Sequence, residues 1–448
     1  MITKFIILSL FVVFFSGCAT QQICEYKPAP VILKNVNCDM KTPEFWIQSH
    51  PSPDKIILNS SQIENFNKRI YAELNLTSDI FSMSSLYNGQ LVLNSISEQL
   101  NHFKDADIYF EDGSKVQNDF FKNIENNICL ANIHENIPVK FGIIIRFSSQ
   151  RLLPTDQGLY KASLNTDFDE LQNSGLDIST PVAVVHTTLD GKWSYVFTDL
   201  SEGWIKSADI AEVSVEELQN YSCAKDFVVV TAAKCKIFLD KEFKNYLGYV
   251  RMGVTMPFVK EGKILGVKIP VRDESGRVIF KNGYINSGDV NQGFLTYTPQ
   301  NIINQAFKLL DAPYGWGDAN GEQDCSRFIQ EIFATVGIKM PRNSAAQSRV
   351  GISLGEFLRE SPAREKLECL KNKAVSGITI LYLKGHIMLY LGCIKGEPYA
   401  IHAYYGYGNK ITKKTVYVVN KVSVTDLSLG QGSAKGSLLE RVLRVVRI

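Results

Sequence analysis

Apolar residues change their period along this chain, so no single repeating architecture can accommodate all of it. In "QIENFNKRIYAEL", Ile63, Phe66, Ile70 and Leu74 recur at helical spacing, and Phe120, Phe121, Ile124 and Ile128 do the same in "NDFFKNIENNICL". A mainly helical region over 43–139 follows, with both faces read as core. From about residue 140 the period drops to two. "PVAVVHTTLDGKWSYVFTDLSEGWIKSADIAEV" alternates Trp193, Tyr195 and Phe197, with turns expected at Asp190-Gly191 and Glu202-Gly203. That pattern predicts short half-buried strands. "KEGKILGVKIPVRDESGRVIFKNGYIN" is a second such stretch, with turns expected at Glu261-Gly262, Ser275-Gly276 and Asn282-Gly283. It suggests another small barrel. The last 150 or so residues begin with an amphipathic helix carrying Ile302, Ile303, Phe307 and Leu310, ended by Pro313, and finish in strands "ITILYL", "HIMLYLG", "YAIHAYY" and "KTVYVV". Helices followed by strands indicate an α+β domain.

At 448 residues the chain holds roughly three domains. A net charge of +2 gives no basic field for nucleic acid, and no P-loop, G-x-G-x-x-G, His-Glu-x-x-His or paired C-x-x-C occurs. No cofactor and no metal are expected, and a monomer is. "MITKFIILSLFVVFFSGC" has a lysine, an apolar run too short to span a bilayer, and a small-residue ending at Cys18. It resembles a bacterial lipobox, so residues 1–17 are expected as a lipoprotein signal peptide, Cys18 as the lipidated residue and 18–42 as a tether. An ordinary signal peptide or an uncleaved anchor is the competing reading. Either way the mature chain is exported, on a membrane facing the periplasm (the outer membrane in a Gram-negative host) or on the cell surface. Among nine cysteines, Cys223 and Cys235 are close enough in sequence to bridge neighbouring strands, as are Cys24 and Cys38.

"EQDCSRFIQEIFATVG" carries the chemistry. Phe328, Ile329, Ile332, Phe333 and Val336 form one helical face, and Gly337 follows where a helix stops. Asp324 suits the N-cap, which puts Cys325 in the first turn and off the apolar face. A helix N-terminus lowers a thiol pKa, and the neighbouring Asp324 raises it. A lone cysteine is more often a small buried hydrophobe. A nucleophilic cysteine needs a base and a group to orient that base. His386 and His402 lie almost symmetrically about the turn-rich "GCIKGEP", so a hairpin sets them facing each other within two or three residues.

The ordered motifs "PYGWGD", "DCSRF", "PRNSAAQ", "GHIMLYLG" and "AIHAYY", spanning residues 299 to 448, resemble the NlpC/p60 cysteine peptidases. "W-x-Y-V" followed by "G-W" resembles a bacterial SH3-like domain. The resemblance implies a multidomain chain: an α+β papain-like catalytic domain over 298–448, two small SH3-like β-barrels over 140–215 and 216–297, and the N-terminal helical region before them. It assigns Cys325 as nucleophile, His386 as base, His402 as the residue orienting it, and Tyr314 as a site-lining oxyanion donor beside the Cys325 N–H. It places Asp324 and Ser326 against substrate. Arg327 stands where many members have a small residue, and it either narrows the cleft or points to solvent. The implied reaction is hydrolysis of the γ-D-glutamyl-diamino acid bond of peptidoglycan stem peptides, through a thioester. The first SH3-like domain is expected to wall off one end of the cleft, with Tyr195 and Glu202 as the wall, which restricts the enzyme to a free N-terminal L-Ala. Trp193 and Trp204 read as barrel core. Three alternatives stay open: a catalytically inert wall-binding lipoprotein, an amidase or acyltransferase on the same fold, and a zinc site built from Cys325, His386 and His402.

Overall fold

Three seven-stranded sheets organise the chain. The computed structural model describes residues 25–163, 165–261, 264–408 and 415–448. The expected leader, Cys18 and Cys24 lie outside the described residues, as does the Gly262 turn. The first sheet uses strands from Lys140–Ile144 to Ile210–Glu212, and the second uses strands from Phe227–Val230 to Val290–Gln292. Every pairing within these two sheets is antiparallel. Glu202-Gly203 and Asn282-Gly283 fall inside strands rather than at turns.

The strand Trp193–Phe197 is buried on both faces, where alternation predicts one. Val196 packs with Val182, Ile205 and Ile210 inside the sheet unit. Trp193 and Tyr195 join Trp204 on the other face, under Val92, Ile96, Leu100 and Phe103 of the helix Gly89–Lys104. That helix is amphipathic, and the aromatic face of the sheet is what its apolar stripe buries.

The N-terminal helical region therefore divides by its packing. Residues 92–137 share a core with the first sheet unit. Trp46, Ile63, Ile70 and Leu76, from the helices Pro43–Gln48 and Ser60–Ala72 and the loop after them, share a core with Ile302, Phe328 and Phe333. Trp46 is fully buried and its indole N–H donates to the Met40 carbonyl at 2.9 Å, so this large side chain leaves no polar group stranded.

The third sheet runs in the order Glu25–Pro28, Thr415–Asp426, Glu397–Gly408, His386–Ile394, Thr379–Leu383, Val442–Arg447, Ile352–Glu356. Its pairings are antiparallel except the first, where Glu25–Pro28 lies parallel to Thr415–Val418. The expected tether thus contributes an edge strand. Phe328, Ile329, Ile332 and Phe333 of the helix Cys325–Ala334 pack on Ile387, Leu389 and Ile401 of this sheet. Gly337, at φ +86°, lets the chain leave that helix.

Buried charge joins the three sheet units. Arg251 of the second is fully buried and grips Asp177 of the first, with 2.7 Å between Nη2 and Oδ2. Arg327 of the cysteine helix reaches the same Asp177 oxygen at 2.9 Å and Glu331 at 3.1 Å. Arg327 thus neither narrows a cleft nor faces solvent. It belongs to the domain junction. The expected Cys223–Cys235 bridge is not formed. Both are free thiols, Cys223 exposed at the end of the helix Val215–Ser222 and Cys235 buried in a strand.

Removing one member of a buried charge set leaves its partners uncompensated, at about 3–5 kcal/mol. Arg251→Leu is expected to destabilise the protein by that amount in chemical denaturation, and an unchanged unfolding midpoint would refute the role given to this contact.

Candidate active site

Cys325 opens its helix just after Asp324, whose side chain accepts the Arg327 N–H at 2.8 Å and so caps the helix. The cysteine is not off the core, as its helical position suggests. It is 8% exposed and packs among the apolar residues under the third sheet, because the helix start is pushed beneath the strand beginning at His386. Burial dominates its thiol, and the backbone N–H groups of Ile387 and Ser326 offset part of that by favouring the thiolate. Burial, and next the Asp324 charge, push the thiol up to about 12.

The two histidines meet across the hairpin. His386 Nε2 lies 2.7 Å from His402 Nδ1, and His402 Nε2 lies 2.9 Å from Thr425 Oγ1. The strands pair Leu389 with Ile401, and a bulge at Tyr390/Gly392 sets the register. Tyr404 packs against both imidazoles, with centroids 5.1 and 4.8 Å away. Burial, and next the proximity of His402, drive His386 well below the usual histidine range, and burial pushes His402 down to about 3. Both rings are neutral. If His402 donates from Nε2 to the Thr425 hydroxyl, its Nδ1 accepts from His386 Nε2–H, and His386 Nδ1 keeps its lone pair. A base of that kind is what the chemistry at Cys325 needs. Thr425 and Tyr404 carry no signal in the sequence, since threonine and tyrosine are common strand residues.

Tyr314 is held between two segments. Its N–H donates to the Asn420 carbonyl at 3.1 Å, and it bridges to Gln323, two residues before Cys325. Burial raises its hydroxyl well above the usual range, and the Cys325 and Asp324 charges add to this. Asp324 and Ser326 face inward to Arg342: Asp324 Oδ2 accepts from its Nη2 at 2.8 Å, and Ser326 Oγ from its Nη1 at 2.8 Å.

Tyr195 and Glu202 are not brought to this site. Tyr195 is fully buried, its hydroxyl 3.0 Å from both Ser95 Oγ and Gln99 Nε2 of the helix Gly89–Lys104, and Ser95 also donates to Glu202. The helix that covers the first sheet unit takes both side chains. The first unit reaches the site through another segment. Phe168 packs edge-on to Tyr405 and Trp316 at 4.6 and 5.2 Å, Asp167 accepts from the Tyr405 hydroxyl, and Tyr405 adjoins Tyr314 at 6.2 Å.

Glu331 of the cysteine helix is fully shielded, and burial pushes its carboxyl up to about 7 against the pull of Arg327 and Arg251. The folded chain holds this proton more tightly than the unfolded one, so stability falls as pH rises from the ordinary carboxylate range to about 7. Glu331→Gln is expected to gain stability relative to the parent between about pH 5 and pH 8. Parallel pH–stability curves for the two proteins would contradict it.

Residues 311–424 match the NlpC/P60 family, and residues 159–206 match the SH3 domain of SH3b1 type. The gamma-D-glutamyl-L-lysine dipeptidyl-peptidase of Bacillus cereus (strain ATCC 10987 / NRS 248) is 29% identical over 138 residues, which span 29% of this chain and 38% of that protein. The fold is similar to that of an NlpC/P60 endopeptidase from Photobacterium damselae subsp. piscicida, with a TM-score of 0.76 at 20% identity over 94% of this chain and 99% of that one. An NlpC/P60 family protein from Bacillus cereus ATCC 10987 aligns over 68% of this chain and 99% of its own, at 16% identity and a TM-score of 0.48.

Proposed function

We propose that this chain, an NlpC/P60 family peptidase with an SH3b domain ahead of its family domain, hydrolyses the γ-D-glutamyl-diamino acid bond of peptidoglycan stem peptides that carry a free N-terminal L-Ala. The observation that carries this reading is the hydrogen-bonded chain His386–His402–Thr425, which begins on the strand whose Ile387 packs in one core with Cys325 at its helix N-terminus. On approach to the amide carbonyl, Cys325 passes its proton to His386 Nδ1 while the S–C bond forms. The oxyanion takes hydrogen bonds from the Cys325 N–H and the Tyr314 hydroxyl. His386 returns the proton to the nitrogen as the C–N bond breaks. Water, deprotonated by the same ring, then cleaves the thioester. His402 and Thr425 keep His386 in the tautomer that both steps require.

The name of the Bacillus cereus relative specifies a γ-D-glutamyl-L-lysine substrate for that protein, which supports the bond class here. The end wall of the cleft we assign to Asp167 and Phe168 in place of Tyr195 and Glu202, since the former pair reaches Tyr405 and Trp316. We also read the family domain as papain-like and the second sheet unit as SH3-like. Peptidoglycan as substrate places the chain outside the cytoplasm, and the "FSGC" ending supports a lipid on Cys18. Metabolic palmitate labelling that survives in Cys18→Ser would remove the anchor.

Two measurements by mass spectrometry test the reaction. Cys325→Ala is expected to lose all cleavage of L-Ala-γ-D-Glu-diaminopimelate and of the lysine peptide. Retained cleavage would displace Cys325 as nucleophile. The parent is expected to spare the N-acetylated peptides, and Phe168→Ala to cleave them. Parent cleavage of blocked and free peptides alike would abolish the wall.

A further inference from the structure

We propose that Arg342 is a positioning residue for the nucleophile: it neutralises Asp324 beside Cys325 and pins the start of the cysteine helix to the first sheet unit. The inference rests on Cys325 being the nucleophile. Its observations are separate from those of the histidine pair. Arg342 is 7% exposed and spends its whole guanidinium on three segments. Nη2 meets Asp324 Oδ2 at 2.8 Å and Asp318 Oδ1 at 3.0 Å, Nη1 meets Ser326 Oγ at 2.8 Å and Asp324 Oδ1 at 3.3 Å, and Nε meets Ser174 Oγ of the first sheet unit at 3.1 Å. Cys325 is thus flanked by two residues that one side chain holds.

A carboxylate next to a thiol opposes thiolate formation, and a guanidinium forked onto that carboxylate cancels much of the field. Asp324 cannot turn away to relieve the clash, because it also caps the helix. The other charged or titratable groups around the thiol are Tyr314 from the loop before it and the His386–His402 pair beside Ile387, while Asp318 shares the guanidinium. In the same sequence motif, Gln347 donates to the Ser326 and Pro341 carbonyls at 2.8 and 2.9 Å, so "PRNSAAQ" supplies a cradle for the helix start.

The test reads the thiol directly and needs no substrate. Iodoacetamide labelling of Cys325, followed site by site by peptide mass spectrometry across pH, is compared in the full-length parent and in Arg342→Gln. The variant is expected to label about tenfold more slowly near neutral pH, with its profile moved to higher pH. The double variant Asp324→Asn, Arg342→Gln is expected to return the profile towards the parent's, a rescue that a merely structural role does not give. An unshifted profile in folded Arg342→Gln, or no rescue in the double variant, overturns the proposal. Should Arg342→Gln fail to fold, Arg342→Lys decides. It keeps the charge and loses the fork, so its labelling is expected to stay near the parent's while hydrolysis slows, and unaltered labelling together with unaltered hydrolysis overturns the proposal. Labelling that shifts as expected in a protein that cleaves no stem peptide would leave Arg342 in place and remove the substrate reading instead.

Discussion

Burial of charge where three units meet is the constraint on which the rest of this structure depends. Three guanidiniums, of Arg251, Arg327 and Arg342, face four carboxylates, of Asp177, Asp318, Asp324 and Glu331. Each ion left water at a cost of several kcal/mol, and only the assembled set offsets that cost. Burial pushes the Glu331 carboxyl upward, and the neighbouring Asp177 and Asp318 charges add to that push against the pull of Arg327 and Arg251. Asp177 and Arg251 come from the two preceding sheet units, and the remaining members lie on or beside the cysteine helix. Docking of the units and placement of Cys325 therefore rest on the same contacts.

The loop Trp316–Gly321 shows the same dependence in its backbone. Gly317, Asp318, Asn320 and Gly321 all take φ between +58° and +70°. Asp318 holds that conformation without glycine's freedom, fixed by the Gly175 N–H at 3.0 Å and by Arg342. A Cβ on Gly317 would stand 2.4 Å from the Gln172 carbonyl oxygen, so contact with the first unit requires glycine there. The chemical groups at the site are equally conditioned by enclosure. A thiol raised and two imidazoles lowered by the same burial describe a neutral resting pair rather than a thiolate beside an imidazolium. Under the proposed reaction the proton moves during attack, when charge also develops on the carbonyl oxygen.

Much of this architecture was legible in periodicity and motif. Helical spacing located the helices around Ile63–Ile70 and Phe121–Ile128, and the symmetric placement of His386 and His402 about one turn brought them into contact. What stayed hidden depended on partners distant in sequence. Alternation in Trp193–Phe197 predicts one wet face, and only the helix Gly89–Lys104 makes it dry, which also removes Tyr195 from the cleft. Arg327 looked like a solvent or cleft residue because its partner Asp177 is 150 positions away. Arg342 stood inside a motif already singled out, yet its contacts with Ser174 and Asp318 lie far away in sequence or outside that motif.

The strand Glu25–Pro28 ties the polypeptide preceding the helical region to the rim of the third sheet, four residues in parallel register with Thr415–Val418. Tyr26, within it, accepts from Asn165 at 3.2 Å, close in sequence to Asp167 and Phe168. That short ladder precedes every helix of the described chain, so the segment is held at the sheet rim before the helical region begins. The amino-terminal segment is thus fastened at the margin of the third sheet, beside the loop that carries Asp167 and Phe168.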